Sequence, residues 1–138
     1  MDNECMDRIA LQDVLLKYAA AVDERDFELY RSCFADDVEI VGFGKGTMRG
    51  ADNWMAYVVK ALEAYDATQH MLGPQLATID GDTAQTRTDV QATHVRKDPK
   101  GQIFTLWATY KSDMVRIDGQ WKISRHELVS RAVATSMA

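Results

Sequence analysis

In the first part of the chain the apolar residues fall on one stripe. Leu11, Leu15, Tyr18 and Val22 recur at i, i+4, i+7 and i+11, the spacing of a helix laid against a core. The spacing predicts one amphipathic helix over 6–23 that ends on Asp23. Two residues later Asp26 is placed to cap a second helix over 27–34, because its carboxylate can accept hydrogen bonds from the unpaired N–H groups of a first turn. A short strand over 38–43, the loop Gly44-Lys45-Gly46-Thr47 and a third helix over 51–65 follow, the last carrying Trp54, Tyr57 and Tyr65. The two loop glycines lack the further glycine, lysine and hydroxyl of a nucleotide-phosphate loop.

From Thr68 onward the period changes to two. Asp80-Gly81, Asp98-Pro99-Lys100-Gly101 and Asp118-Gly119 are turn signals that divide the remainder into a four-strand meander. On its second strand Thr86, Thr88, Val90, Ala92 and His94 share one face. On its third, Phe104, Leu106, Ala108, Tyr110 and Ser112 oppose Ile103, Thr105, Trp107, Thr109 and Lys111. Neither face of that third strand is fully polar, so the sheet is expected to be covered on both sides, by helices on one and by a second subunit on the other. Ile103, Thr105, Trp107 and Thr109 are the expected contact of a homo-dimer or homo-trimer. The expected class is α+β, with three helices in the concavity of a strongly curved antiparallel sheet, mixed at its first strand. No linker, repeat or low-complexity stretch interrupts 138 residues, which read as a single domain over 1–138.

Charge narrows the partners. The formal net charge is −5 with the basic residues scattered, so the basic footprint that a phosphate backbone requires is missing and nucleic acid is not expected. The start, Met-Asp-Asn-Glu-Cys-Met-Asp-Arg, is acidic and polar rather than a basic leader followed by an apolar stretch, and no apolar run reaches a membrane span. A cytoplasmic protein without a membrane partner is the expectation. Cys5 and Cys33 have no CxxC or Cys/His ligand spacing and read as reduced thiols, one terminal and one packed; no metal site is expected.

Two residues stand out for chemistry: Asp23 at the end of the first helix and His70 at the start of the first long strand. A carboxylate and an imidazole together make a general base that works near neutral pH, the carboxylate fixing the tautomer and stabilising the charged ring. Taken singly, a helix-terminal aspartate is more often a cap, and a lone strand histidine is more often satisfied by a backbone carbonyl. His94, near the Asp98-Pro99 turn, has the same bland reading, and His126, among Arg125, Glu127 and Arg131, reads as structural or surface.

The order helix, helix, strand, helix and long meander, with Ala-Val-Asp-Glu-Arg-Asp at the first helix junction and Phe-Ala-Asp-Asp-Val before the first strand, resembles the SnoaL-like group of the nuclear-transport-factor-2-like superfamily. The resemblance covers nearly the whole chain and implies a cone-shaped, cystatin-like fold. Ala67-Thr68-Gln69-His70 and the Asp23-x-x-Asp26 pair are similar to the scytalone dehydratases and hexachlorocyclohexane dehydrochlorinases. The resemblance gives Asp23 and His70 the role of the proton-abstracting pair. Ala92-Thr93-His94-Val95-Arg96 falls where the dehydratases carry a second active-site histidine, and the face parity turns His94 into the same concavity.

The departures bear on substrate. Val22 and Gly42 stand where the dehydratases have two tyrosines that hold a water against the substrate carbonyl; Ala108 and Tyr110 replace a serine and an asparagine; Tyr18 replaces a lysine of the dehydrochlorinases. The base is kept while the specificity groups change, which argues against scytalone itself. What the resemblance implies is a cofactor-independent lyase or isomerase acting on a small cyclic or aromatic-derived molecule in an internal apolar pocket. Asp23, His70 and His94 would be catalytic, and Tyr18, Trp54 and Tyr110 would shape the pocket. Met48, Met55, Met71 and Met114 are candidates to line it, with gap filling the alternative. A non-catalytic binding or assembly module and the small subunit of a ring-hydroxylating dioxygenase, for which the chain is short, are the rival readings.

Overall fold

The computed structural model describes residues 3–44 and 46–137. Lys45, in the middle of the expected loop, and the first two residues of the acidic start lie outside them. Helix α1 (Asn3–Glu24) buries the expected stripe, Leu11, Leu15, Tyr18 and Val22, together with Val14 and Ala21. Helix α2 (Phe27–Ser32) is capped by Asp26, whose side chain accepts the Leu29 N–H at 3.1 Å. Strand β1 (Phe34–Val41) and the short β2 (Thr47–Arg49) pair antiparallel and lead to helix α3 (Ala51–Leu62). Four long strands complete the chain: β3 (Tyr65–Asp80), β4 (Thr83–Arg96), β5 (Gln102–Ile117) and β6 (Gln120–Met137).

These strands form one six-stranded sheet in the order β2-β1-β6-β5-β4-β3, antiparallel except where β1 runs parallel to β6. The α+β class and the mixed first strand are therefore as expected. Register shifts at Leu72/Gln75 in β3 and at Trp107/Ala108 and Asp113/Met114 against β6 bend the ladder, as extra residues on one strand of a pair do. The concave face takes α1 and α3, and the core there is dense in rings: Tyr18, Tyr30, Phe34 and Trp54 are each at most 3 % exposed.

Several boundaries differ from expectation. The first strand starts at Phe34, because Phe34 and Ala35 are buried and Phe34 pairs with Ile123 before the exposed Asp36-Asp37 bulge that looks like a loop in sequence. It stops at Val41 because Gly42 turns with φ +89°, and a Cβ there would stand 2.3 Å from the Leu128 carbonyl oxygen; only glycine fits. The expected Gly44–Thr47 loop gives way at Thr47 to strand β2. Helix α2 closes at Ser32 with Cys33 as its cap, and α3 closes at Leu62, so Tyr65 belongs to β3 rather than to the third helix.

On the convex face Met71, Leu76 and Trp107 are exposed, whereas Thr109 is completely buried within the chain and cannot serve the contact expected of it. Its hydroxyl donates to Asp89 at 2.8 Å and accepts from Arg131 Nε at 3.2 Å. His126, whose surface alternative fails, is also completely buried. Cys33 is buried and Cys5 exposed on α1. Among the described residues no helix is long and apolar enough to cross a membrane.

Candidate active site

The last turn of α1 and the first residues of β3 meet through Asp23, Thr68 and His70. Thr68 and His70 are two apart on β3, so both point inward, toward Asp23. The Asp23 carboxylate is held at both oxygens: Oδ2 accepts the His70 backbone N–H at 2.8 Å, while Oδ1 lies 2.8 Å from His70 Nδ1 and accepts the Thr68 hydroxyl at 3.0 Å. The two side chains are 19 % and 10 % exposed, enough shielding to strengthen the pair without removing it from solvent. Burial by itself would raise the Asp23 pKa, but the hydrogen bonds from the His70 ring and backbone, the charge of that ring and the Thr68 hydroxyl outweigh it and hold the carboxyl below its ordinary value. An ionised carboxylate at Nδ1 requires the proton there, which leaves Nε2 as the bare nitrogen.

His94 sits opposite Thr68 on β4, and its ring is 5.9 Å from that of His70. Nδ1 is 3.1 Å from the Phe104 carbonyl oxygen, an acceptor only, so Nδ1 carries a proton. Burial lowers the His94 pKa, with the Phe104 carbonyl opposing and a charge on His70 adding to the fall. His94 is thus a neutral ring with Nε2 as an acceptor. Tyr65 and Phe104 pack on it at 4.8 and 5.2 Å between centroids.

Both histidines line a cavity of about 190 Å³, shared with Tyr18, Val22, Tyr30, Phe43, Trp54, Val58, Leu62, Tyr65, Ala92, Leu106, Tyr110 and Leu128. A dry cavity of ~150 Å³ accommodates benzene, so this one has room for a single ring with small substituents. Of the six residues singled out from the sequence, Asp23 stands behind His70, and the other five, Tyr18, Trp54, His70, His94 and Tyr110, border it. None of the four candidate methionines does. Met114 is core, Met48 and Met55 pack beside the core, and Met71 points outward.

Behind the cavity lies a second polar cluster that sequence reasoning missed. His126 Nε2 is 3.0 Å from the Tyr18 hydroxyl and Nδ1 is 2.8 Å from Ser112 Oγ; Trp54 Nε1 donates to the Tyr30 hydroxyl at 3.1 Å. Full burial drives the His126 pKa down to about 3, so the ring is neutral. Burial likewise raises Tyr18, Tyr30 and Tyr110, keeping all three phenols protonated. Alternation from Trp121 and Ile123 would send His126 outward; the extra residue Ser124 reverses the parity, and no sequence signal marks that bulge.

A larger cleft of about 700 Å³ lies at the far end of the meander, bordered by Asp37, Asp80 and Asp113. No histidine borders it, and it holds nothing comparable to the Asp23–His70 pair. Among the described residues no group of His, Cys, Asp and Glu is arranged to hold a metal ion.

Comparison with known proteins bears on the family and the fold. An uncharacterized Mycobacterium tuberculosis protein, Rv2910c, is 29 % identical over 126 residues, covering 88 % of this chain and 84 % of its own. A type 2 hexachlorocyclohexane dehydrochlorinase (LinA) structure superposes with a TM-score of 0.89 at 23 % identity, covering 98 % of this chain and 92 % of that one. A scytalone dehydratase-like protein from Novosphingobium aromaticivorans also gives 0.89, at 20 % identity and 98 % and 91 % coverage. At such identities the structural likeness is one of fold. The SnoaL-like domain family matches residues 3–127, nearly the whole chain, and the protein belongs to that family.

Proposed function

We propose that the protein is a cofactor-independent lyase or isomerase in which His70 removes a carbon-bound proton from a small cyclic substrate, elimination being the favoured outcome. The observation that carries the reading is the grip of an ionised Asp23 on His70 Nδ1, at 2.8 Å, with the ring on the wall of a cavity sized for one ring. His70 Nε2 takes the proton, the C–H electron pair becomes the new C=C bond, and the leaving group departs with its own pair. A departing hydroxide takes the proton back from the imidazolium as water; a halide leaves without it, and the proton passes to solvent. Asp23 acts through the ring in this reading: its oxygens hold the His70 Nδ1–H, the His70 backbone N–H and the Thr68 hydroxyl. Its charge stabilises the imidazolium as it forms.

In this reading His94, whose Nδ1–H is committed to the Phe104 carbonyl and whose pKa burial lowers, offers its Nε2 to a substrate hydroxyl. The phenols of Tyr18 and Tyr110, kept protonated by burial, and the Trp54 ring shape the wall against which a single ring would lie. A second copy packed on the convex face belongs to the same reading, supported by exposed Met71, Leu76 and Trp107. The family and the dehydratase- and dehydrochlorinase-type neighbours are consistent with this chemistry.

The test is incubation with a panel of hydroxylated and halogenated monocyclic compounds, following loss of water or halide by mass detection. Turnover of at least one, absent in His70→Ala, is expected. Tight binding of panel members with no bond broken and no proton exchanged would instead make the protein a binding module.

A further inference from the structure

The residue after the first helix, Arg25, is in the left-handed backbone region at φ +58°, where glycine is the ordinary occupant. Its side chain folds back across the helix end. Nη1 donates to the Val22 carbonyl at 2.6 Å and to Thr68 Oγ1 at 2.9 Å, and Nη2 is buried with no partner among the described residues. A helix-ending role accounts for little of this. The Arg25 backbone N–H already reaches the Val22 carbonyl at 3.2 Å, and a glycine would supply the same turn without the strain or the stranded N–H.

The contact with Thr68 has a directional consequence. A guanidinium N–H can only donate, so the Thr68 oxygen accepts from Arg25 and its single hydroxyl hydrogen goes to Asp23 Oδ1, 3.0 Å away. That oxygen also receives His70 Nδ1–H. Without the cation the threonine hydroxyl is free to rotate and the carboxylate loses one of the donors that fix its rotation.

We propose that Arg25 is a positioning residue for the proton-transfer pair, acting through the Thr68 hydroxyl to lock the Asp23 carboxylate and with it the Nδ1–H form of His70. The inference rests on the reading of Asp23 and His70 as the base. It adds that the chain keeps a strained, incompletely satisfied arginine at the helix end for orientation rather than for stability.

The experiment uses Arg25→Gly, Thr68→Val and Thr68→Ser in the full chain. Histidine nitrogens labelled with ¹⁵N report the His70 tautomer directly, and thermal melting reports the fold. Arg25→Gly is expected to melt at or above the wild-type temperature, since the strain is relieved. His70 should change from a single Nδ1–H form to a mixture of tautomers in Arg25→Gly and in Thr68→Val, and Thr68→Ser should restore the single form. With any panel compound that is turned over, kcat should fall on the order of tenfold in both variants, the size usual for a group supporting a first-contact residue, with KM little changed. The double variant should be no worse than either alone. A single, unaltered Nδ1–H form in Arg25→Gly would overturn the proposal, as would loss of the form in Thr68→Ser. Should His70→Ala keep full turnover, the base assignment falls, while the tautomer measurement still decides the role of Arg25.

Discussion

Two histidines stand on the same concave face, and their surroundings give them opposite chemistry. His70 is partly shielded, meets an ionised carboxylate at Nδ1 and borders the cavity. His126 has no exposure at all, meets only the hydroxyls of Ser112 and Tyr18, and is packed among the rings of Phe43 and Tyr110 at 5.3 and 4.7 Å. A ring with a counter-charge can accept a proton and stay bound to its partner. A ring without one must remain neutral, and burial pushes its pKa to about 3. The presence of the carboxylate therefore separates the ring proposed as a base from one that is a piece of core.

The sharpest way to break that contrast is to delete each ring in turn. His70→Ala is expected to abolish turnover, on the order of 10³-fold or more, with the melting temperature little changed, because the imidazole acts in the transition state. His126→Ala is expected to do the reverse: about 3 kcal/mol of stability lost through the cavity and the stranded hydroxyls of Ser112 and Tyr18, measured by urea unfolding. Equal losses of stability in the two variants would erase the distinction.

Replacing the counter-charge while keeping its shape is the next largest effect. Asp23→Asn should lower kcat by roughly 10²–10⁴-fold, since the amide removes the charge and admits the wrong His70 tautomer.

Acid sharpens the comparison through stability. His126 binds a proton in the ordinary imidazole range, ~6.5, when unfolded but not until about pH 3 when folded, so between those values the unfolded chain holds more protons. Stability should therefore fall as pH drops through that window, by about 1.4 kcal/mol per pH unit from this group. His126→Leu should flatten that slope in urea titrations. Asp23, whose pKa is lowered on folding, adds stability that is present above its unfolded value and lost as pH falls through the folded one, so Asp23→Asn should flatten only the most acidic part. A stability curve of His126→Leu parallel to wild type would contradict the neutral, buried assignment.

The smallest effect lies on the convex face. Trp107→Ser should shift light scattering from an oligomer toward the monomer mass while leaving His70 chemistry within a few fold.

How far the sequence carried depended on whether a local rule held. The α1 stripe, the Asp26 cap and the alternation along β4 follow from period and capping alone, and the structure repeats them. Asp23 and His70 are unremarkable by type. Position within a resembling family singled them out, and the structure brings them to 2.8 Å. What escaped was set by irregularity: the Ser124 bulge that turns His126 inward, the bulged start of β1, and the Asp89–Thr109–Arg131 links that bury a threonine on an outward face. Each depends on pairing between distant strands, which no window of sequence reports. Arg25 was readable only as a charged residue between two helices; its left-handed backbone and its reach to Thr68 exist only once β3 is in place.

The central claim is that His70, held by Asp23, is the base that takes a proton from carbon. Deuterium incorporation from D₂O into recovered panel compounds measures that step without requiring elimination to follow. The wild-type protein is expected to label at least one compound at the carbon beside its leaving group or carbonyl, His126→Leu to label it at a comparable rate per folded molecule, and His70→Ala not at all. Labelling by His70→Ala at the wild-type rate would contradict the account.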